Sequence, residues 1–330
     1  RYRMGLLMDI KIYQGDCLET LKMLEDQSIN TCITSPPYYG LRNYNDEDKQ
    51  LGLEDTPEDF THNLVKVFRE IRRILKDDGT VWLNLGDSYS SGGRTTTTNQ
   101  SLRGDKDYGV TRPKPSKNIK PKDLIGIPWR VAFALQEDGW YLRQDIIWHK
   151  PNPMPESVKD RCTKAHEYIF LLSKNVKYYF DNEAIKEDSV TVNSKGERGV
   201  PNSIKTIGKS VEDDPMFRVR HGFKGMKPQE KRNKRSVWTV TTKPFKGAHF
   251  ATFPPDLIEP CVLAGCPEGG VVLDPFGGSA TTGIVANKHN RNAVMCELNP
   301  DYIEIAKQRI HKDLGIMANT EIITGRNEND

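Results

Sequence analysis

Short apolar runs alternate with segments of helical periodicity along most of this sequence. Three of these runs predict buried strands, at residues 29–33, 81–85 and 271–274. A helix is predicted to begin at Pro57 with Thr56 as its N-cap, to keep one apolar face, and to end at Gly79. This alternation is typical of an α/β fold with a mostly parallel sheet and helices on both faces.

Composition narrows the class of protein further. The chain has 330 residues and a formal net charge of +3, enough for one large domain or two smaller ones. No apolar run approaches the ~18 residues that a membrane-spanning helix requires, and no secretory signal is recognisable. The six cysteines are scattered without a Cys-x-x-Cys pair, which indicates reduced thiols. We therefore expect a cytoplasmic protein with no membrane partner and no metal site.

Two stretches of the sequence concentrate basic residues, at 94–122 and 217–235. The second stretch ends in Lys231, Arg232, Lys234 and Arg235, and only Glu230 opposes it within that range. In a nearly neutral protein, such stretches predict a positive face for a phosphate backbone, although two solvated loops explain them equally simply. The loop at about 90–122 is long and aperiodic, so we expect it to be functional or mobile.

A proline-rich corner, Thr34-Ser35-Pro36-Pro37-Tyr38, follows the apolar run at 29–33. Two consecutive prolines fix two φ angles near about −65°, and each restricts the residue before it to extended geometry. Ser35 is therefore held stiffly beside backbone carbonyls and the ring of Tyr38. This arrangement is suited to gripping a planar group that bears an NH2, although a simple strand-ending turn has the same composition.

A glycine-rich turn, from Asp274 to Gly283, joins a predicted strand to a predicted helix, and Glu297 ends the next strand. In open α/β sheets, an acidic residue at that position binds the hydroxyls of a ribose. Both NAD enzymes and methyltransferases use this pair, and the absence of G-x-G-x-x-G argues against NAD. The alternative is that Glu297 caps the helix that starts near Pro300.

Together, the residues Ser35-Pro36-Pro37-Tyr38 and Asp274-Pro275-Phe276-Gly277-Gly278-Ser279 resemble the catalytic and cofactor motifs of the amino-directed DNA methyltransferases. Members of this family use S-adenosylmethionine to methylate an exocyclic nitrogen of adenine or cytosine. The catalytic motif comes first here, which resembles the permuted β group, and Gly15-Asp16-Cys17 and Glu297-Leu298-Asn299-Pro300 extend the likeness. Ala280 departs from the family, which often has glycine there, and alanine is expected to be tolerated if this residue has helical φ.

The resemblance implies a Rossmann-like methyltransferase sheet with an irregular target-recognition insertion. The implied division is a catalytic part at 9–183, a target-recognition region at 184–237, a cofactor-binding part at 238–315 and a tail at 316–330. Ser35, Pro36 and Pro37 would hold the target amino group, and Tyr38 would stack on its ring. The implied cofactor-binding residues are Asp16, Cys17, Phe250, Thr252, Asp274, Phe276, Gly278, Ser279 and Glu297. The candidate DNA-binding residues are Lys231, Arg232, Lys234 and Arg235.

The predicted activity is methyl transfer to the amino group of a base flipped out of double-stranded DNA. We favour cytosine N4, because family members with serine at the first position of the corner mostly modify cytosine, whereas aspartate is usual for adenine N6. Methylation of RNA or of a protein glutamine, or a DNA-binding module with an inactive cofactor site, are the remaining alternatives. A homodimer and a cognate restriction endonuclease stay open.

Overall fold

The computed structural model of the protein describes residues 8–40, 50–90, 119–189, 231–242, 253–315 and 319–324. The strands are β1 (Asp9–Gln14), β2 (Ile29–Thr34), β3 (Leu75–Leu85), β4 (Tyr141–His149), β5 (His166–Ser173), β6 (Glu187–Asp188), β7 (Lys231–Arg232), β8 (Val237–Thr239), β9 (Val271–Asp274), β10 (Asn292–Glu297) and β11 (Asn319–Thr324). The helices are α1 (Cys17–Lys22), α2 (Pro57–Ile74), α3 (Ile127–Glu137), α4 (Pro255–Gly265), α5 (Thr281–Lys288) and α6 (Pro300–Leu314).

A nine-stranded sheet organises the fold, in the order β11-β1-β10-β9-β2-β3-β5-β4-β8. Among these strands, β5 alone runs antiparallel to its neighbours. From β9 the chain continues through α5 to β10 on one side, whereas from β2 it continues through α2 to β3 on the other. The boundary between β9 and β2 is therefore a topological switch point, where open α/β sheets bind their ligands.

Helices cover both faces of this sheet, as the side chains of β2 demonstrate. Successive residues of a strand point to opposite faces. A Cβ atom on Gly265 of α4 would lie 2.9 Å from the Thr31 hydroxyl, whereas the next residue, Cys32, belongs to the core formed with α1, α2 and α3. The predicted α/β class with a mostly parallel sheet is confirmed.

The boundary between α2 and β3 differs from the prediction. Thr56 caps the start of α2 as expected, with its hydroxyl accepting from the Asp59 amide at 3.1 Å. The predicted helix end at Gly79 is wrong, because α2 ends at Ile74 and β3 begins with Leu75. Leu75 already pairs with Ile29 of β2, and the register shifts before the pairing resumes. Sheet pairing therefore takes over where helical periodicity alone still allowed another turn.

Residues 182–235 form a compact unit of their own. In the parts of this unit that the structure describes, β6 and β7 pair antiparallel, with Glu187 opposite Arg232. The remainder of the chain forms the other unit, which holds the nine-stranded sheet.

The C-terminal segment assigned to a tail contains a strand that the sequence did not suggest. This strand, β11, pairs in parallel with β1 and forms one edge of the sheet. Across the described ranges, none of the helices is both long and apolar enough to span a lipid bilayer.

Candidate active site

Four adjacent strands, β1, β10, β9 and β2, end at one edge of the sheet and bring the predicted motifs together. The Gly15 amide donates to the Glu297 carbonyl at 2.9 Å, which joins the ends of β1 and β10. The Gly277 amide donates to the Cys296 carbonyl at 2.8 Å, which joins the glycine-rich turn to β10. Residues at both ends of the sequence therefore meet because their strands are parallel neighbours.

The Asp274 carboxylate links the proline-rich corner to the glycine-rich turn. It accepts from the Thr34 hydroxyl at 2.7 Å, from the Thr282 hydroxyl at 2.6 Å and from the Phe276 amide at 3.1 Å. Asp274 is only 2% exposed; burial raises the pKa of its carboxyl, and the hydroxyl donors oppose that rise. Because its three donors come from β2, the glycine-rich turn and α5, the side chain acts as an anchor beneath the site.

The glycine-rich turn approaches β10 closely. A Cβ atom on Gly277 would lie 2.9 Å from the Met295 Cβ, so only glycine fits without movement. Ala280, immediately before α5, has a left-handed φ of +63°, so the condition of helical φ, under which alanine was expected to be tolerated, is not met. Left-handed geometry costs a non-glycine residue roughly 1–2 kcal/mol. This strained residue lies in the turn that connects β9 to α5.

Glu297 closes the turn from the side of β10. Its carboxylate accepts from the Gly278 amide at 2.8 Å and from the Asn299 amide at 2.9 Å. Burial raises the pKa of the Glu297 carboxyl to about 7. The cap of α6 is Asn299, whose side chain accepts from the Asp301 amide at 2.8 Å, so Glu297 is not the helix cap. The half-buried Glu297 therefore keeps its carboxylate at the tip of β10, beside the glycine-rich turn.

Asp16 and Cys17 lie at the end of β1, beside this edge. The Asp16 carboxylate caps α1 by accepting from the Leu18 amide at 2.9 Å and the Glu19 amide at 3.2 Å. Cys17 is 8% exposed and its thiol packs in the core, where burial raises its pKa. The fold thus assigns both side chains structural contacts at the start of α1, and Gly15 just before them bonds to Glu297 at the strand edge.

Within the proline-rich corner, Ser35 is half-buried and Pro36 is buried. The Tyr38 hydroxyl donates to the Glu167 carboxylate at 2.7 Å. Tyr39 is 1% exposed, with its ring centroid 5.5 Å from that of Phe60. Tyr39 is therefore a core residue, and Tyr38 is the aromatic side chain that faces the edge of the sheet.

Sequence reasoning missed several residues that surround these motifs. Arg309 of α6 donates to the Ser279 hydroxyl and to the Thr281 hydroxyl, both at 2.7 Å. Ser279 is 3% exposed, so its side chain supports the turn from beneath. Glu167 lies 129 positions from Tyr38 in sequence. No local pattern signals pairs like these, because they depend on which strands and helices become neighbours.

One further expectation changes with the structure, and another lies outside the residues it describes. Arg232 and Arg235 both donate to the Glu187 carboxylate, at 3.0 and 2.8 Å, so the basic run has an acidic partner beyond Glu230. Phe250 and Thr252 lie outside the described residues, as does most of the loop predicted at about 90–122.

Comparison with known proteins identifies the family that has this arrangement of motifs. Residues 29–308 match the N6/N4 methyltransferase family, described as DNA methylases. The chain belongs to this family. It is a DNA amino-methyltransferase, and the match includes both the proline-rich corner and the glycine-rich turn.

Relatives of this methyltransferase resemble it over nearly their whole length. The Type II methyltransferase M.Cfr9I of Citrobacter freundii is 47% identical over 91% of this chain and 87% of its own length. The Type II methyltransferase M.SmaI of Serratia marcescens is 47% identical over 92% of this chain and 91% of its own length.

Solved structures share the fold of the methyltransferase. A DNA modification methylase from Thermus thermophilus, described as putative and complexed with S-adenosyl-L-methionine, has a TM-score of 0.60 and 22% identity, covering 96% of this chain and 99% of its own. The cytosine-N4-specific PvuII DNA methyltransferase has a TM-score of 0.59 and 18% identity, covering 98% of this chain and 99% of its own. At these identities, the likeness concerns the fold alone.

Proposed function

We propose that the protein transfers a methyl group from S-adenosylmethionine to the N4 amino group of a cytosine flipped out of double-stranded DNA. The observation that carries the proposal is the 2.7 Å hydrogen bond between Thr34 and Asp274. It ties the residue before Ser35 to the strand that leads into the glycine-rich turn. A group that binds a nucleobase amine is thereby held beside a turn suited to a nucleoside cofactor.

The residues at the strand edge fit S-adenosylmethionine. Gly277 lets the turn pack against β10, and Gly278, where a Cβ atom would meet nothing closer than 3.9 Å, leaves its backbone open to a ligand. The Glu297 carboxylate at the tip of β10 suits the ribose hydroxyls. Phe276 and Gly278 would line the pocket, and Asp274 and Ser279 would hold the turn. Asp16 and Cys17, at the start of α1, would border the adenine. Phe250 and Thr252 are proposed at the methionine end from the family resemblance. When bound, the cofactor supplies an electrophilic methyl group.

The proline-rich corner supplies the alignment that the reaction needs. An aryl amine is a weak nucleophile, because its lone pair is delocalised into the ring. The Ser35 hydroxyl and the Pro36 carbonyl would accept hydrogen bonds from the two N–H groups of the amine. This favours tetrahedral geometry at the nitrogen and frees its lone pair from delocalisation into the ring. Pro37 stiffens the corner, so little reorganisation is needed during the reaction.

The same corner would receive a base only after extrusion from the duplex. Flipping costs a few kcal/mol. Stacking on the Tyr38 ring would offset roughly 1–3 kcal/mol of this cost, as aromatic platforms do for single-stranded nucleic acids. Catalysis then rests on positioning and electrostatics.

Residues 182–235 are proposed as the target-recognition unit. Lys231, Arg232, Lys234 and Arg235 give its described part a positive character, which suits phosphate contacts. Because Glu187 pairs with both arginines, their net contribution to DNA binding is smaller than the count of basic residues suggests.

Product analysis tests the choice of base. We expect plasmid DNA from a methylation-deficient host expressing the protein to contain N4-methylcytosine in nucleoside mass spectrometry. Single-molecule sequencing of the same DNA would place the modification at one recurring sequence. N6-methyladenine as the sole product would replace the cytosine assignment, while absence of both modified bases would contradict DNA methylation itself.

Replacing Ser35 by alanine removes one of the two acceptors for the amino group. We expect Ser35→Ala to lower kcat by at least about 10²-fold, the loss seen when one preorganised transition-state contact is removed. Cofactor affinity should change by less than about twofold, because Ser35 is assigned to the base. Calorimetric titration with S-adenosylmethionine checks this, and a parallel loss of affinity would contradict the role. Ser28→Ala, at an exposed hydroxyl that bonds the Glu25 carbonyl, is the matched control.

Cofactor affinity should depend on pH through Glu297. Burial raises the pKa of the Glu297 carboxyl from 4.5 to about 7. Its contribution to folding stability is therefore complete below about pH 4.5 and is lost as the pH rises through 7. Ribose hydroxyls donate to the ionised carboxylate and favour its charged form. We therefore expect affinity to weaken as pH falls from about 8 to 6, approaching a tenfold loss per pH unit below 7.

Calorimetry in two buffers of different ionisation enthalpy would detect the accompanying proton release near pH 7. Glu297→Gln should bind more weakly and should lose this proton release. Unchanged proton release in that variant would show that another group titrates.

Neutralising the basic end of the recognition unit should weaken DNA binding and flatten its salt dependence. The variant replaces Lys231, Arg232, Lys234 and Arg235 with glutamine. Each lost phosphate contact reduces the magnitude of the slope of log K against log[salt] by about 0.9. Because Glu187 pairs with two of the four residues, we expect a total reduction below about 3.6. The charge-matched control replaces Lys22, Lys66, Lys307 and Lys312 of the helices. An unchanged slope in the first variant would show that these residues are not part of the DNA interface.

A further inference from the structure

The side chain of Tyr38 is held at its hydroxyl and along its ring. Its hydroxyl lies 2.7 Å from the Glu167 carboxylate and 3.4 Å from the Asn84 amide oxygen. Gly86 packs against the ring so closely that a Cβ atom there would lie 2.5 Å from the Tyr38 Cε2. Contacts within the protein therefore define the position of the ring.

Glu167 is itself held by its neighbours at the start of β5. Its side chain is 15% exposed and forms an ion pair with Lys150, which is 18% exposed. The Asn84 amide nitrogen lies 3.4 Å from Glu167 and donates to the Tyr168 carbonyl at 3.0 Å. A carboxylate with these partners is a fixed acceptor, and hydrogen bonds to charged groups are among the stronger ones in proteins.

Lys150 connects the same network to the ring of a buried tryptophan. Its ammonium lies 4.1 Å from the ring centroid of Trp148, which is 4% exposed and donates from its indole nitrogen to the Val240 carbonyl at 2.8 Å. Cation–π contact and ion pairing together hold the lysine in place. Tyr38 is thus connected through Glu167 and Lys150 to a buried tryptophan of β4.

We propose that Glu167 is a positioning residue that orients the Tyr38 ring for the incoming base before that base arrives, with Gly86 providing the space for the ring. This inference rests on the proposed function, in which Tyr38 stacks on the target. Because the Tyr38 hydroxyl donates to Glu167, the ring rather than the hydroxyl would meet the base. An oriented ring binds the flipped base without first losing rotamer freedom, which lowers the cost of binding.

A double-mutant cycle on Tyr38 and Glu167 tests the proposal. We expect Tyr38→Phe and Glu167→Ala each to lower kcat by about tenfold, within the range of about 10²-fold that small misplacements cause. The double variant should be no worse than the poorer single variant, because Tyr38→Phe removes a hydrogen bond that Glu167→Ala has already removed. Glu167→Gln retains an acceptor and should recover part of the loss. Glu156→Gln, which changes a carboxylate paired with Arg161, is the matched control and should leave kcat unchanged.

Fluorescence of 2-aminopurine at the target position gives a signature that a general loss of stability would not produce. Stacking on the oriented ring quenches the flipped probe, so Glu167→Ala should raise its emission. Cofactor affinity and thermal midpoint serve as checks on folding. Additive losses in the cycle, or wild-type emission in Glu167→Ala, would overturn the positioning role.

Tyr38→Ala separates this inference from the proposed function. A large loss of activity in Tyr38→Ala with no effect of Glu167→Ala refutes the positioning role alone. Unchanged activity in Tyr38→Ala refutes stacking on Tyr38, and with it the proposed use of the corner.

Discussion

The hydrogen bonds accepted by the buried Asp274 carboxylate connect the two halves of the candidate site. A buried charge without partners is expensive, and here two threonine hydroxyls and one backbone amide satisfy it. One hydroxyl belongs to β2 and the other to α5. Separating the proline-rich corner from the glycine-rich turn would break one of these bonds, so the spacing between the two motifs is built into the fold.

The parallel sheet explains why motifs far apart in sequence become neighbours. Thr34 and Asp274 are separated by 240 positions, yet β2 and β9 are adjacent. Right-handed crossovers place one set of helices on each face and leave the carboxyl ends of the strands open. The order of the motifs along the chain has no effect on this arrangement, because only the strand order in the sheet decides which ends meet.

The charged side chains also show a difference between what the local sequence indicates and what tertiary contacts decide. Counting charges identifies a basic run, but Glu187 pairs with two of its arginines from a different strand. Near the corner, Lys150 is balanced by Glu167 rather than offered to solvent. Charge that is committed to such pairs stabilises a local geometry, and only the remainder is available to attract a polyanion.

Sequence alone was enough to identify the α/β class and the short motifs, because strand periodicity, prolines and glycines act through local backbone geometry, and the resemblance of those motifs indicated the methyltransferase family. The sequence placed the cap of α2 at Thr56 correctly and the end of that helix wrongly, since pairing of Leu75 with Ile29 depends on a neighbouring strand. Tertiary structure alone decided that Asp274 is an anchor, that Ala280 adopts left-handed φ and that Glu167 holds Tyr38. These properties depend on which distant groups surround a residue, and local sequence carries no information about that.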